Sequence, residues 1–84
     1  MDVIFSPRSK LFLEKCHPDV KKRILKKIKF YSSSSDPLEF ADRLTDDHDA
    51  PYRYRVGDWR IKFSVDKGVM SIKRIGRRDS IYER

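Results

Sequence analysis

The stretch that decides the fold of this chain is Tyr52–Ile75, with the sequence YRYRVGDWRIKFSVDKGVMSIKRI. Apolar and polar residues alternate in it with a period of two, as side chains do on the two faces of a β-strand. The pairs Gly57-Asp58 and Lys67-Gly68 interrupt the alternation. Two-residue connections of this kind are typical of tight hairpins. The stretch therefore predicts three antiparallel strands, Tyr52–Val56, Trp59–Asp66 and Val69–Ile75.

The two turns also predict which residues lie opposite one another. Counting outward from the first turn sets Arg55 opposite Arg60, and counting outward from the second sets Lys62 opposite Lys73. Because paired residues share a face, this register predicts one apolar and one cationic face. The apolar face contains Tyr52, Tyr54, Trp59, Ile61, Phe63, Val65, Met70 and Ile72. The cationic face contains Arg53, Arg55, Arg60, Lys62 and Lys73.

Five neighbouring cations on one sheet face require an explanation. Like charges directly opposite each other destabilise a sheet by roughly 0.2–1 kcal/mol per pair. One interpretation is an anion-binding site, most simply for a phosphodiester. The other is an ordinary solvated face in a lysine-rich protein. Charge alone leaves both interpretations open.

The N-terminal part has helical rather than strand periodicity. Val3–Phe5 is a run of β-forming residues that predicts a first strand, and Ser6-Pro7 has the residue types of a helix N-cap and first turn. This helix is expected to end near His17-Pro18, where a second helix begins. The second helix has one apolar stripe, consisting of Val20, Ile24, Ile28 and Tyr31.

The two helices are followed by the serine run Ser32–Ser35, a short helical turn opening at Asp36-Pro37 and an acidic loop at Thr45–Pro51. The expected fold class is α+β: an N-terminal strand, a helical hairpin, and an antiparallel β-meander packed on the helices. At this length, residues 1–84 are predicted to form a single domain.

Composition narrows the possible partners. The net charge of +7 should attract polyanions, with binding that weakens as salt is added. No apolar run is long enough to span a bilayer, so no membrane partner is expected. Cys16 is the single cysteine, which favours a reducing cytoplasm. Cysteine and histidine lack zinc spacing, and we expect no metal or other cofactor.

The C-terminal segment contains further residues that could bind RNA. Gly76 is followed by Arg77 and Arg78, and Tyr82 lies four residues further on. Arginine makes bidentate contacts with phosphate, and tyrosine can stack on an unpaired base. The alternative is a basic tail without a role in binding.

The block Arg53–Arg60, RYRVGDWR, followed by a hydrophobic strand and then by Ile75–Arg78 and Ile81-Tyr82, resembles the RelE/ParE toxin superfamily. The order of elements resembles it too, so the similarity spans nearly the whole chain, and the RYRVGDWR block is its most specific part. The resemblance implies the toxin of a bacterial or archaeal type II toxin–antitoxin module. RelE-like members are mRNA interferases: they enter the ribosomal A site and cleave mRNA by attack of a 2′-hydroxyl on the adjacent phosphate, without metal.

The resemblance also implies roles for individual residues. Arg60 corresponds to the arginine that stabilises the pentavalent phosphate, Arg78 to the one near the leaving 5′-oxygen, and Tyr82 to the tyrosine that stacks on or orients the substrate. Arg53 and Arg55 stand where RelE-like toxins often carry lysines. Arginine stays protonated, so Arg55 stabilises charge but is a poor general base. The candidate bases are then Lys62, Lys73, His48 and Glu83. The expected catalytic residues are Arg60, Arg78, Tyr82 and Arg55, and the expected substrate-binding residues are Arg53, Lys62, Lys73 and Arg77.

Other functions remain open at this point. ParE-like members of the same superfamily inhibit DNA gyrase by binding it, but they commonly lack the full set of two arginines and a tyrosine. A catalytically decayed toxin and a basic nucleic-acid-binding module are further alternatives. The expected partners are an acidic cognate antitoxin, the ribosome and mRNA.

Overall fold

The computed structural model describes residues 1–81, which form helices packed on one face of a five-stranded sheet. The strands are β1 (Asp2–Phe5), β2 (Asp42–Arg43), β3 (Tyr52–Val56), β4 (Trp59–Asp66) and β5 (Val69–Arg77). The α-helices are α1 (Pro7–Lys15) and α2 (Pro18–Ser32), and a short 3-10 helix covers Pro37–Phe40. The α+β class, the N-terminal strand, the helical hairpin and the meander are confirmed.

Both α-helices begin where the sequence predicts them, because each has a side-chain cap followed by proline. The hydroxyl of Ser6 accepts a hydrogen bond from the backbone N–H of Ser9 at 3.0 Å. Nδ1 of His17 accepts one from the N–H of Asp19 at 3.1 Å. Such caps satisfy N–H groups that the first turn of a helix leaves without a partner. None of the helices within residues 1–81 is both long enough and apolar enough to cross a membrane.

The strand order is β1-β5-β4-β3-β2. The meander β3-β4-β5 occupies the centre, and β1 adds to it in parallel along β5. The two-residue strand β2, which the sequence analysis missed, pairs antiparallel with β3 and sets Asp42 opposite Arg53. A strand of two residues carries too little alternation to be recognised in a sequence.

The predicted register is confirmed for the first hairpin and corrected for the second. Arg55 lies opposite Arg60, as expected. The prediction that Lys62 lies opposite Lys73 is wrong, since Lys62 pairs with Arg74 and Lys73 is the extra residue of a β-bulge. Two consecutive polar residues separate Ile72 from Ile75, so strict alternation would have turned Ile75 toward the cationic side. The bulge brings Ile75 opposite Ile61 instead and leaves it only 5% exposed.

The core lies between the helices and the apolar face of the sheet. Ile24 and Ile28 of the α2 stripe pack there with Tyr54, Ile61 and Phe63 of the sheet. The rings of Tyr54 and Phe63 stack with centroids 4.3 Å apart. Burial raises the pKa of the Tyr54 phenol, which donates a hydrogen bond to the carbonyl of Pro37 at 2.9 Å. The opposite face of the sheet carries the cations, and none of the helices within residues 1–81 packs on it.

Candidate nucleic-acid interface

The cationic face is the side of the sheet that faces away from the helices. Arg53, Arg55, Arg60 and Lys62 lie on it in the predicted register, and the bulge adds Arg74 opposite Lys62. The face therefore has one more cation than the sequence predicted. It also lies next to the acidic segment, residues 42–49, whose position the sequence left undefined.

At its start, the acidic segment places a carboxylate between two of these arginines. Oδ2 of Asp42 accepts hydrogen bonds from Nη2 of Arg53 at 2.8 Å and from Nε of Arg53 at 3.2 Å. The same oxygen lies 3.1 Å from Nε of Arg55. The hydrogen bond from Arg53 lowers the pKa of Asp42, against a smaller opposing effect of burial, and the charges of Arg55, Arg53 and Arg60 lower it further. Both arginines are thus paired with the same carboxylate, that of Asp42.

Further along the segment, a second carboxylate is held in place by backbone and side-chain donors. Oδ1 of Asp47 accepts from the N–H groups of Asp49 at 3.1 Å and Ala50 at 3.0 Å. Its Oδ2 is ion-paired with Lys62, whose side chain is only 13% exposed. The hydrogen bond from Lys62 lowers the pKa of Asp47, offset in part by burial. The predicted acidic loop therefore lies against the cationic face.

The β3–β4 turn brings together the two arginines that the resemblance singles out. Nη1 of Arg60 donates to the carbonyls of Gly57 at 2.8 Å and Trp59 at 2.9 Å. The backbone N–H of Arg78 donates to the carbonyl of Asp58 at 2.9 Å. Gly57 has a φ of +59°, a conformation in which glycine is favoured. Although Arg60 and Arg78 are far apart in sequence, both are anchored to this one turn.

Arg77 lies apart from the other predicted substrate-binding residues. It pairs with Trp59, so it belongs to the helix side of the sheet. Its guanidinium carbon is 5.6 Å from the centroid of the Trp59 ring, and its Nε is 3.8 Å from a carboxylate oxygen of Asp79. Arg53, Arg55, Arg60, Lys62 and Lys73 are brought to the cationic face. Tyr82 and Glu83 lie outside the described residues.

Lys73, the bulged residue, is tied to the acidic segment more loosely than Lys62. Its Nζ lies 3.7 Å from Oδ1 of Asp49, whose side chain is 79% exposed. His48 is exposed in the same loop. Residues 1–81 contain no group of three or more His, Cys, Asp or Glu side chains arranged to hold a metal ion.

Several solved structures similar to this one contain RelE toxins, most of them in complex with RelB. The RelB–RelE complex of Methanococcus jannaschii matches with a TM-score of 0.71 and 26% identity, over 94% of each chain. The Mycobacterium tuberculosis RelBE2 complex has a TM-score of 0.74 at 22% identity, over 92% of this chain and 96% of that chain. The intact E. coli RelBE complex has a TM-score of 0.73 at 18% identity, over 99% and 98%.

The chain has the fold of the RelE toxins. The resemblance of its sequence to the RelE/ParE superfamily is confirmed at this level. No protein-family model matches the sequence, and no curated protein matches it. With pairwise identities of 26% and below, the shared fold is more evident than the shared sequence. In this RelE-like fold, the cationic face and the β3–β4 turn carry basic side chains that can contact a polyanion.

Proposed function

We propose that this RelE-like chain is the toxin of a type II toxin–antitoxin module and cleaves mRNA in the ribosomal A site, in the cytoplasm. The observation that carries the proposal is that the Arg60 guanidinium and the Arg78 backbone are both anchored to the β3–β4 turn, beside the cationic face. The comparisons support the assignment to a toxin–antitoxin module, because the similar structures include RelE in complex with RelB.

The proposed reaction is attack of a ribose 2′-hydroxyl on the adjacent phosphate, which releases the 5′-oxygen of the next nucleotide. Arg60 would exchange its two carbonyl contacts for the charged oxygens of the pentavalent phosphate, because hydrogen bonds between charged groups are the stronger ones. Arg78 would stabilise the leaving oxygen, and Tyr82 would orient the neighbouring base. Arg55 adds positive charge where negative charge develops.

The ion pairs restrict the choice of general base. Lys62 is held against Asp47, so we propose that it acts as a fixed positive charge rather than as a proton acceptor. Arg55 keeps its proton as well. Catalysis would then depend mainly on in-line positioning and electrostatic stabilisation, with the 2′-hydroxyl proton passing to Lys73, His48, Glu83 or water.

The proposed protein partner is an acidic antitoxin. The exposed side of α2 provides a second basic surface, made of Lys21, Lys22, Arg23, Lys26, Lys27 and Lys29. Within residues 1–81 none of these six forms an ion pair. The sheet face is partly neutralised by its own aspartates, whereas this surface is not, so it supports docking of an acidic chain.

Cell-free translation with primer-extension mapping of mRNA 5′ ends tests the enzymatic proposal. Cuts within codons that require the ribosome are expected, and Arg60→Ala should abolish them. Arg43→Ala is the matched control, because Arg43 lies on the neighbouring edge strand with its guanidinium near the Tyr52 ring. Tyr82→Phe tests whether the phenol is needed in addition to the ring.

Intact mRNA with normal translation would refute the nuclease. A DNA supercoiling assay would then test gyrase inhibition, the alternative within the superfamily. Inactivity in both assays by a folded protein would indicate a decayed toxin.

A further inference from the structure

A small polar cavity opens beside the bulge, at the edge of the cationic face. Its volume is about 150 Å³. Its charged lining consists of Arg8, Asp47, Asp49, Lys62, Lys73 and Arg74. We call it the Arg8–Arg74 pocket. Neither Arg8 nor Arg74 was among the residues that the sequence singled out.

The pocket is built by the junction between β1, α1 and the bulge. β1 pairs with β5 only as far as Phe5 opposite Ile72, which leaves the edge of β5 open from Lys73 onward. The hydroxyl of Ser6 donates to the carbonyl of Lys73 at 2.9 Å and so fastens the start of α1 to the bulge. Arg8, in the first turn of α1, therefore reaches the edge of the cationic face.

The two carboxylates of the pocket differ in how firmly they are held. Asp47 accepts two backbone N–H groups as well as the ammonium of Lys62, so it is part of the wall. Asp49 is largely exposed and lies 3.7 Å from Lys73, so an incoming anion can replace it. The lining has four cations and two aspartates, and hence a formal charge of +2.

The two arginines are the available donors. Neither Arg8 nor Arg74 forms an ion pair within residues 1–81. Guanidinium groups bind phosphate oxygens in a bidentate fashion. A tetrahedral anion of one or two negative charges matches both the net charge and the size of the pocket.

The spacing of Lys62 and Arg60 along β4 favours RNA as the source of that anion. Lys62 and Arg60 are two residues apart on β4, which corresponds to roughly 6.7 Å along the strand. This separation is comparable with the distance between successive phosphates of an extended RNA strand.

We propose that the Arg8–Arg74 pocket binds an RNA phosphodiester next to the one held by Arg60. This inference rests on the proposed function, because it assigns Arg60 to the reacting phosphate. The pocket would hold the RNA in register on the sheet, which helps to align the reacting atoms. Arg8 and Arg74 are positioning residues in this scheme.

The test is fluorescence anisotropy of a labelled, short single-stranded RNA, titrated at several salt concentrations with wild type, Arg8→Ala, Arg74→Ala and the double variant. Each lost phosphate contact should reduce the slope of log K against log salt by about 0.7, which is about a fivefold loss of affinity at 0.1 M salt. Lys10→Ala, on the exposed side of α1, has the same change in charge and should leave the slope nearly unchanged. Circular dichroism verifies that each variant is folded.

A double variant that is folded and has the wild-type slope would overturn the proposal, even if ribosome-dependent cleavage is found. Conversely, the double variant could have a reduced slope while the wild-type protein shows no cleavage. That result would support RNA binding by the pocket and refute the proposed nuclease activity. Inorganic phosphate is the second probe. If it binds wild type and not the double variant, while RNA affinity is the same for both, the pocket takes free phosphate and the assignment to RNA is wrong.

Discussion

Replacing Asp42 with asparagine should strengthen RNA binding, although it removes an ion pair from the folded protein. The carboxylate of Asp42 holds both Arg53 and Arg55, at 2.8 Å and 3.1 Å. A phosphate that binds these arginines must compete with it. Asparagine has nearly the same shape but no charge, so it leaves both guanidinium groups available to RNA.

The expected gain follows from counterion release. One additional phosphate contact on single-stranded RNA changes the slope of log K against log salt by about 0.7. That change corresponds to a gain in affinity of up to about fivefold at 0.1 M salt, and of only about 1.6-fold at 0.5 M. The cost in folding stability should be about 0.2–1 kcal/mol, because the pair is partly exposed: the side chains of Arg53 and Asp42 are 22% and 34% exposed.

The assay is the same anisotropy titration, repeated across the salt range. Asp46→Asn is the matched control: it removes one negative charge from the same acidic segment, at an exposed residue that forms no ion pair within residues 1–81. Asp46→Asn should therefore produce only the small effect of net charge. Equal slopes for wild type, Asp42→Asn and Asp46→Asn would show that RNA does not use Arg53 and Arg55, and would refute the reasoning.

Three other predictions concern the core, the ion pairs and the partner. In urea unfolding, Ile75→Ala should lower the free energy of unfolding by about 2–5 kcal/mol, because Ile75 is buried. Ile4→Ala is the control and should lower it far less, because Ile4 is 56% exposed. Equal losses for the two variants would contradict the burial of Ile75 by the bulge. The pKa of Asp47 is lowered in the folded state, so its contribution to stability is complete above the ordinary value of 3.8 and is lost as the pH falls through the lowered value. Urea unfolding between about pH 5 and pH 2 should therefore show a shallower decline for Asp47→Asn than for wild type, and parallel curves would exclude this role. Stopped-flow mixing with an acidic antitoxin should show that salt slows association more than it speeds dissociation, and a salt-independent association rate would count against docking on a basic surface.

Local patterns in the sequence were sufficient to predict both α-helices, every strand except β2, and the first hairpin. The alternation from Tyr52 and the pair Gly57-Asp58 determine Arg55 opposite Arg60, because a two-residue turn leaves one register for its flanking strands. Proline after a capping residue located the starts of both α-helices. The RelE-like identity of the fold was inferred from a resemblance to the RelE/ParE superfamily, of which the RYRVGDWR block is the most specific part.

The second hairpin shows where alternation was not sufficient. The spacing of three between Ile72 and Ile75 was a visible sign of a bulge, since no regular strand turns both residues to one face. Burial of Ile75 requires one extra residue between the two isoleucines, and the strand pairing in the structure shows that this residue is Lys73 rather than its neighbour. That choice placed Arg74 opposite Lys62.

By itself, the sequence determined the strands other than β2, the helix starts, one register and the presence of a strongly basic face, since each depends on neighbours along the chain. Tertiary structure decided that Asp42 and Asp47 lie on that face and that Arg8 reaches it around the end of β1. The structure thus brings together residues that are far apart in the chain: Arg8 and Arg74, which line the same pocket, are 66 positions apart. The sequence shows which charged residues are present, but the path of the chain through the core determines which of them meet.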